Sequence, residues 1–311
     1  MTTDMQRLDA SETIFLKRQL ESVDKTAYAK IYPENVGRSL IPTVMDVAET
    51  APTYTWYATR RFGRAKIGGA LGDDAPRVDV DAKPQSQVIT NITDSYEYTV
   101  LEIREANRTG TNLDQVRAIA ARDTIETAID EILATGNTGA GLYGLFNMPS
   151  VGLYTLGTKS GGGTAWSAAT PDEIVRDVFD MASTIIDNLK HAGGDAMHSF
   201  TLVLPVRQYT LIAQNRMGDG SDKTILKFIL ENSPFIKAVV PWHRAAGAGA
   251  SGADRAVMYV NDAKVLGALV PMEFTPSAPQ ARNLSYVVTC MARCGGVVCR
   301  YPVACLYADG L

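Results

Sequence analysis

Apolar and polar positions alternate differently along successive parts of the chain. Over residues 9–30, Ile14, Phe15, Leu20, Val23 and Ala27 recur at helical intervals with charges between them. That spacing predicts an amphipathic helix, with Asp9 or Ser11 as its cap. Pro33 and Pro42 then demand an extended course. A helix followed by an extended segment has no core of its own, so residues 1–50 are expected to form an arm lying on the body or on a neighbour. "TYTWYATRRFGRAKI" and "RVDVDAKPQSQVITNITDSYEYTVLEI" are dense in Thr, Val and aromatics and flank the turn "GGALGDDAP". They predict a long β-hairpin over 51–104, interrupted by Pro84. Two limbs with so little continuous apolar surface need something to rest on.

The clearest helical pattern is "TNLDQVRAIAARDTIETAIDEILATG". Leu113, Val116, Ile119, Ala120, Ile125, Ala128, Ile129, Ile132 and Leu133 make one broad apolar stripe. Thr111 or Asn112 is the expected cap, and Gly136 stands where a left-handed stop belongs. About 25 residues at a rise of ~1.5 Å make a rod of roughly 37 Å. The glycines of "GNTGAGLYGLFNMP" follow, and then the Gly/Ser/Thr segment "TLGTKSGGGTAWSAAT", closing a unit over 105–169.

Residues 170–262 alternate helix and strand: "TPDEIVRDVFDMASTIIDNLKHAGG", "SFTLVLP", "VRQYTLIAQNR", "KTILKFILEN", "IKAVV" and "RAVMYV". That order predicts a mixed α/β unit. In the first helix Thr170 is the expected cap, Pro171 opens the first turn and Gly193 is the stop. Residues 263–311 return to strands. "NLSYVVTCMARCGGVVCRYPVACLY" reads as a hairpin turning at Gly295-Gly296. That register sets Cys294 against Val297, Ala292 against Cys299, Cys290 against Tyr301 and Tyr286 against Cys305. All four cysteines then share a core face with Leu284, Tyr286, Val288, Val297 and Val303. Cys299 falls diagonal to Cys290 and Cys294 at roughly 7–8 Å, too far for a relaxed disulfide.

Chemistry adds little. The net charge is −4 and the hydrophobic content 46%, which suits a packed globular chain and lacks the basic stripe of a dedicated nucleic-acid binder. No apolar run reaches the ~18–20 residues that span a bilayer, so no membrane partner is expected. The N-terminus lacks a secretory pattern, which points to the cytoplasm and to reduced thiols. The glycine cluster at 136–144 is not a phosphate loop. The helix precedes it, so a negative helix end faces the glycines, and no Lys or Arg is present. The cysteine spacings lack a zinc signature, and His191, His198 and His243 form no ligand pair. Acid pairs such as Asp130/Glu131 read as solvated charge. No cofactor, metal or catalytic arrangement is expected. "RRFGRAK" is the one basic cluster and has two readings. It is a nucleic-acid contact, or it pairs with Asp73, Asp74, Asp79 and Asp81 of its own or a neighbouring hairpin.

The order of parts, with "FLKRQLESVDKTAYAKIYPENVGRSLIPT" in the arm, "DEILATGNTGAGLYGLFNMPSV" after the long helix and "ARCGGVVCRYPVACLYADG" at the end, resembles the major capsid proteins of tailed bacteriophages with their Hong Kong phage-type fold. The resemblance covers nearly the whole chain. It implies an α+β fold with an N-arm (1–50), an extended loop and a peripheral strand (51–104), and a spine helix with its Gly-rich turn (105–169). An α/β axial domain (170–262) and C-terminal peripheral strands (263–311) complete it. It implies a structural protein, not an enzyme. Its partners would be copies of itself in hexamers and pentamers, a portal, and scaffold or decoration proteins. The shell, icosahedral or prolate, would enclose double-stranded DNA without sequence-specific binding, in a virion assembled in the host cytoplasm. On that footing Arg60, Arg61, Arg64, Lys66, Asp73, Asp74, Asp79 and Asp81 of the hairpin, and Phe15 and Leu16 of the arm, are candidate inter-subunit contacts. With the hairpin starting near residue 53, the long scaffolding segment of many relatives is expected to be absent or already removed. Some relatives cross-link through a loop lysine. Lys66 and Lys83 lie in that region, and nothing marks either as reactive. The runner-up is an encapsulin-like shell that packages a protein cargo. A more remote alternative is a small-molecule enzyme on the α/β unit.

Overall fold

A computed structural model describes residues 35–44, 46–62, 79–109, 113–191, 199–218 and 222–311. Asn35–Leu311 makes up one unit. The arm helix with Phe15 and Leu16, the Thr111/Asn112 cap and the Gly193 stop lie outside the described residues.

The described chain opens with a single helical turn, α1 (Gly37–Leu40). Residues 42–44 then run extended beside Ala268, whose N–H donates to Pro42 O at 2.8 Å. Strands β1 (Thr53–Phe62) and β2 (Asp79–Val88) pair antiparallel as a two-stranded sheet. Pro84 is tolerated opposite Tyr57 because each strand of a two-stranded ribbon has a free edge. The single extended run expected after the tip divides. Ile89 is buried, β3 spans Thr90–Thr99, and the chain turns helical as α2 (Val100–Thr109) where extension was expected to continue. A capping box causes the switch. Thr99 Oγ1 accepts from Glu102 N at 3.3 Å, and the Glu102 carboxylate accepts from Thr99 N at 2.8 Å.

The long helix is α3 (Leu113–Thr135), 23 residues, or about 34 Å at 1.5 Å per residue. It lies against β3 and the strand Ser285–Cys294. Ala121, Ile125, Ile129, Leu133 and Ala134 are its core side chains. The predicted stripe is too long at its N-terminal end: Val116 is 57% and Ile119 53% exposed, and Ala120 is exposed too. Periodicity marks the apolar face of a helix, not the length over which a partner covers it.

After the short strand β4 (Gly152–Tyr154) comes the α/β unit. It holds α4 (Pro171–His191), β5 (Phe200–Leu204), α5 (Val206–Gln214), α6 (Ile225–Asn232), β6 (Ile236–Pro241) and β7 (Arg255–Val260). β5 is buried at every position, as a central strand covered on both faces must be. Then follow β8 (Leu266–Leu269), β9 (Met272–Pro276), β10 (Gln280–Arg282), β11 (Ser285–Cys294), β12 (Gly296–Cys299) and β13 (Cys305–Asp309).

These strands do not form the expected terminal hairpin. β11 pairs with β3 along its whole length, from Thr90 opposite Cys294 to Thr99 opposite Ser285, and with β9 and β10 on its other edge. β12 pairs with β8. β13 joins the sheet of the α/β unit, whose order is β4-β13-β7-β5-β6. The two glycines serve close approach instead of a hairpin turn. Gly296 has φ +73°, and a Cβ there would lie 2.3 Å from Tyr143 O. With the hairpin register gone, Leu284 is 79% exposed, and Tyr286 and Val303 are also exposed. All four cysteines are nonetheless buried free thiols.

Candidate functional site: the spine junction and the exposed hairpin

The C-terminal end of α3 leaves its last carbonyls without intrahelical donors. Gly136, at φ +67°, stops the helix and reverses the chain. The returning segment then caps it: Leu145 N donates to Leu133 O at 2.7 Å and Phe146 N to Ala134 O at 2.9 Å. The two backbones approach so closely that a Cβ on Gly144 would lie 2.5 Å from Ala134 O, and one on Gly136 2.4 Å from Leu142 O. Leu142, Leu145 and Phe146 tuck back into the core. The glycines therefore serve packing of backbone on backbone, as the helix polarity indicated.

Three further parts of the fold fasten onto this turn. Tyr143 O accepts from Val297 N of β12 at 2.7 Å. The buried Tyr307 hydroxyl of β13 donates to Leu145 O at 2.8 Å and accepts from Met148 N at 2.9 Å. Arg255 of β7 donates to Phe146 O at 2.5 Å and grips Asp309 at 2.6 and 2.7 Å. Its guanidinium also lies over the Tyr307 ring, 4.5 Å from the centroid. Burial pushes the Asp309 carboxyl upward, but the Arg255 hydrogen bonds, the Ala250 N–H and the Arg255 charge together outweigh it and hold the group below its usual value. Phe146 packs on Trp242 with centroids 5.3 Å apart. One turn thus locks the spine helix, the β8–β12 ribbon and the five-stranded sheet together.

A second fastening sits at mid-helix. Asp130 is 2% exposed, which corrects its reading as solvated charge. It accepts from Gly37 N at 2.8 Å and from Arg244 Nε at 2.7 Å, so the turn α1 is tied to the spine through a buried carboxylate. Near the other end, Arg117 bonds Glu102 at 2.8 and 3.3 Å and donates to Glu97 O. The Arg117 guanidinium, and then the Thr99 N–H, hold the Glu102 carboxyl down to about 2.

Against this stiff body, β1 and β2 form a ribbon with no other strand on either edge among the described residues. The backbone register sets Arg60 across from Asp81, Phe62 across from Asp79, and Arg61 across from Val80. Of the other candidate contacts, Arg64, Lys66, Asp73 and Asp74 lie outside the described residues. Lys83 is exposed and sits opposite Ala58. At the ribbon's base, Arg300 donates to the Tyr54 hydroxyl at 2.9 Å. An open cleft of about 480 Å³ there is lined by Trp56, Tyr57, Ala263, Lys264, Arg300 and Tyr301. Tyr57 is 69% exposed. The lining carries no carboxylate, thiol or imidazole.

Sequence reasoning did not find the buried pair Lys159–Asp177. Lys159 Nζ donates to Asp177 Oδ2, which also accepts from Trp166 Nε1 at 3.0 Å. Its partners are far apart in sequence, and a buried charge pair has no local signature. Among the described residues no group of three or more His, Cys, Asp or Glu could hold a metal ion. Likewise no described helix is long and apolar enough to cross a membrane.

The sequence matches the family described as "Major capsid protein" over residues 63–311. No curated protein matches it. Among solved structures, the capsid of Myoviridae phage XM1 superposes with a TM-score of 0.77 at 17% identity, covering 94% of this chain and 98% of that one. A chain of Mycobacterium phage Bobi gives 0.62 at 15% identity, covering 96% and 99%. The virus-like particle from Pyrococcus furiosus gives 0.55 at 12% identity, covering 87% and 90%. The fold is the α+β Hong Kong phage-type capsid fold.

Proposed function

This chain belongs to the major capsid protein family, and from that premise we propose that its copies close as pentamers and hexamers into an icosahedral or prolate shell around double-stranded DNA. It is a structural shell protein of the virion. The observation that carries the assembly reading is the contrast between a locked body and a ribbon that is fastened at its base, where Arg300 holds Tyr54, and gains no further strand among the described residues. The turn at 136–149 fixes helix and sheets against one another, while β1 and β2 pair with no further strand among the described residues. A two-stranded ribbon is marginal alone, so contact with neighbouring copies supplies its missing surface. Opposite charges at facing register positions, as at Arg60 and Asp81, favour particular partners over raw affinity. Arg61, Arg64, Lys66, Asp73, Asp74 and Asp79 join them in this reading, with Phe15 and Leu16 of the arm.

The net charge of −4 suits an enclosure that surrounds nucleic acid without gripping it. Assembly takes place in the host cytoplasm in this reading, with a portal at one vertex and scaffold or decoration proteins as further partners. Particles purified from a lysate and treated with nuclease test the content. Double-stranded DNA released only on disrupting the shell is the expected result. Particles of this subunit filled with a protein cargo and no nucleic acid would overturn it in favour of a cargo compartment.

A further inference from the structure

Two of the four cysteines meet. Cys299 Sγ at the end of β12 lies 3.8 Å from Cys305 Sγ at the start of β13. The two thiols belong to different sheets, since β12 pairs with β8 while β13 pairs with β7 and β4. They are joined through Arg300, Tyr301 and the turn Pro302–Ala304. Among the described residues Cys290 and Cys294 make no such contact. Cys294 Sγ instead accepts from Gly296 N at 3.4 Å.

We propose that Cys299 and Cys305 form an intrachain disulfide on exposure to a hydroperoxide, stapling the β8–β12 ribbon to the five-stranded sheet. A disulfide sulfur pair is about 2.05 Å apart. Closing the contact therefore takes roughly 1.8 Å of approach, shared between two side chains. Access sets the order of events: Cys299 is 9% exposed and Cys305 1%. The Cys299 thiolate attacks one peroxide oxygen and the O–O bond breaks. Hydroxide leaves and takes up the thiol's proton as water, and Cys299 is now a sulfenic acid. Cys305 Sγ attacks that sulfur and the S–O bond breaks. The departing hydroxide takes the Cys305 proton as a second water. Two thiols are oxidised by two electrons and one peroxide is reduced to two waters. The hydrogen bond with Cys299, and burial after it, raise the Cys305 thiol well above its usual value, so the reaction is slow and small oxidants outpace bulky ones.

The chemistry is independent of the shell reading. Its setting rests on that reading: a chain made among reduced thiols in a cell would be exposed to oxidant after release.

The test uses the soluble, unassembled protein treated with hydrogen peroxide, alkylated in denaturant and digested with trypsin without reductant. Cleavage after Arg300 separates the two cysteines, so the expected product is peptide 294–300, alkylated at Cys294, joined to 301–311 and two hydrogens lighter than the sum of the two. The link persists in Cys294→Ser and is lost in Cys299→Ser and Cys305→Ser. Cys305→Ser leaves Cys299 as a sulfenic acid that dimedone labels. The unfolding midpoint of the wild type rises on oxidation and falls back with reductant. Four alkylated cysteines after exposure that oxidises the methionines would overturn the proposal, as would a link that survives Cys299→Ser. Should a variant fail to fold, fragmentation of the wild-type linked peptide locates the bond.

Discussion

Arg255 and Asp309 close a two-pronged ion pair at 2.6 and 2.7 Å at the end of the spine helix, and the same guanidinium holds Phe146 O. Both side chains are mostly buried, so removing one partner strands the other in low dielectric. Arg255→Met is expected to lower unfolding free energy by about 2–3 kcal/mol. Urea denaturation of the unassembled subunit measures it. A change below about 0.5 kcal/mol, typical of a neutral surface site, would mean that the pair does not fasten the junction.

The glycines of the turn separate strain from crowding. Gly136 and Gly141 both have positive φ, +67° and +71°, but a Cβ meets backbone at 2.4 Å on Gly136 and nothing within 4 Å on Gly141. Gly141→Ala is expected to cost about 1 kcal/mol through backbone conformation alone. Gly136→Ala adds a clash with the returning chain and is expected to cost at least about 2 kcal/mol. Equal losses in denaturant titrations would show that the close approach carries no energy.

Two carboxylates contribute to the acid limit. Glu102, held by Arg117 and then Thr99, and Glu173, held by the Ser160 hydroxyl and then Thr170 N, both fall from 4.5 to about 2. A depressed folded-state value favours the folded form above the unfolded value, and the benefit is lost as pH falls through the folded one. Stability is therefore expected to decline from about pH 4.5 towards pH 2, and less steeply in the double variant Glu102→Gln, Glu173→Gln. Identical slopes in both proteins would place the acid sensitivity elsewhere.

The ribbon charges are tested by reversal. Arg60→Glu with Arg61→Glu is expected to leave the subunit folded and to reduce assembly, with a change in its salt dependence. Adding Asp81→Arg restores the opposite charge across the register from Arg60. Recovery by that third change assigns Asp81, of the same or a neighbouring ribbon, as the partner of Arg60, and failure to recover assigns the basic cluster to other partners. Normal particle yield with unchanged salt sensitivity in the double variant would contradict the proposed contacts.

Much of the fold was legible where a local pattern has one physical outcome. Gly136 after a long periodic run reads as a helix stop, and the absence of Lys or Arg from 136–149 argues against a phosphate loop. Alternating strand and helix over 170–262 reads as mixed α/β, but the sheet also takes in β4 and β13 from outside those bounds. The misreadings fall where the deciding partner is distant. Gly295-Gly296 signals either a hairpin or a close approach, and only Tyr143, some 150 residues earlier in the chain, decides between them. Asp130 looks solvated until Arg244 arrives. Val116 and Ile119 continue an apolar face that the described body leaves uncovered. The Cys299–Cys305 contact stayed hidden because it follows from strand pairings the presumed hairpin excluded.

Cryo-electron microscopy of the purified protein decides whether its copies close into shells. Closed shells of pentamers and hexamers are expected, with the β1–β2 ribbon of each subunit lying on a neighbour. A stable monomer that forms no shell under any assembly condition would contradict that expectation.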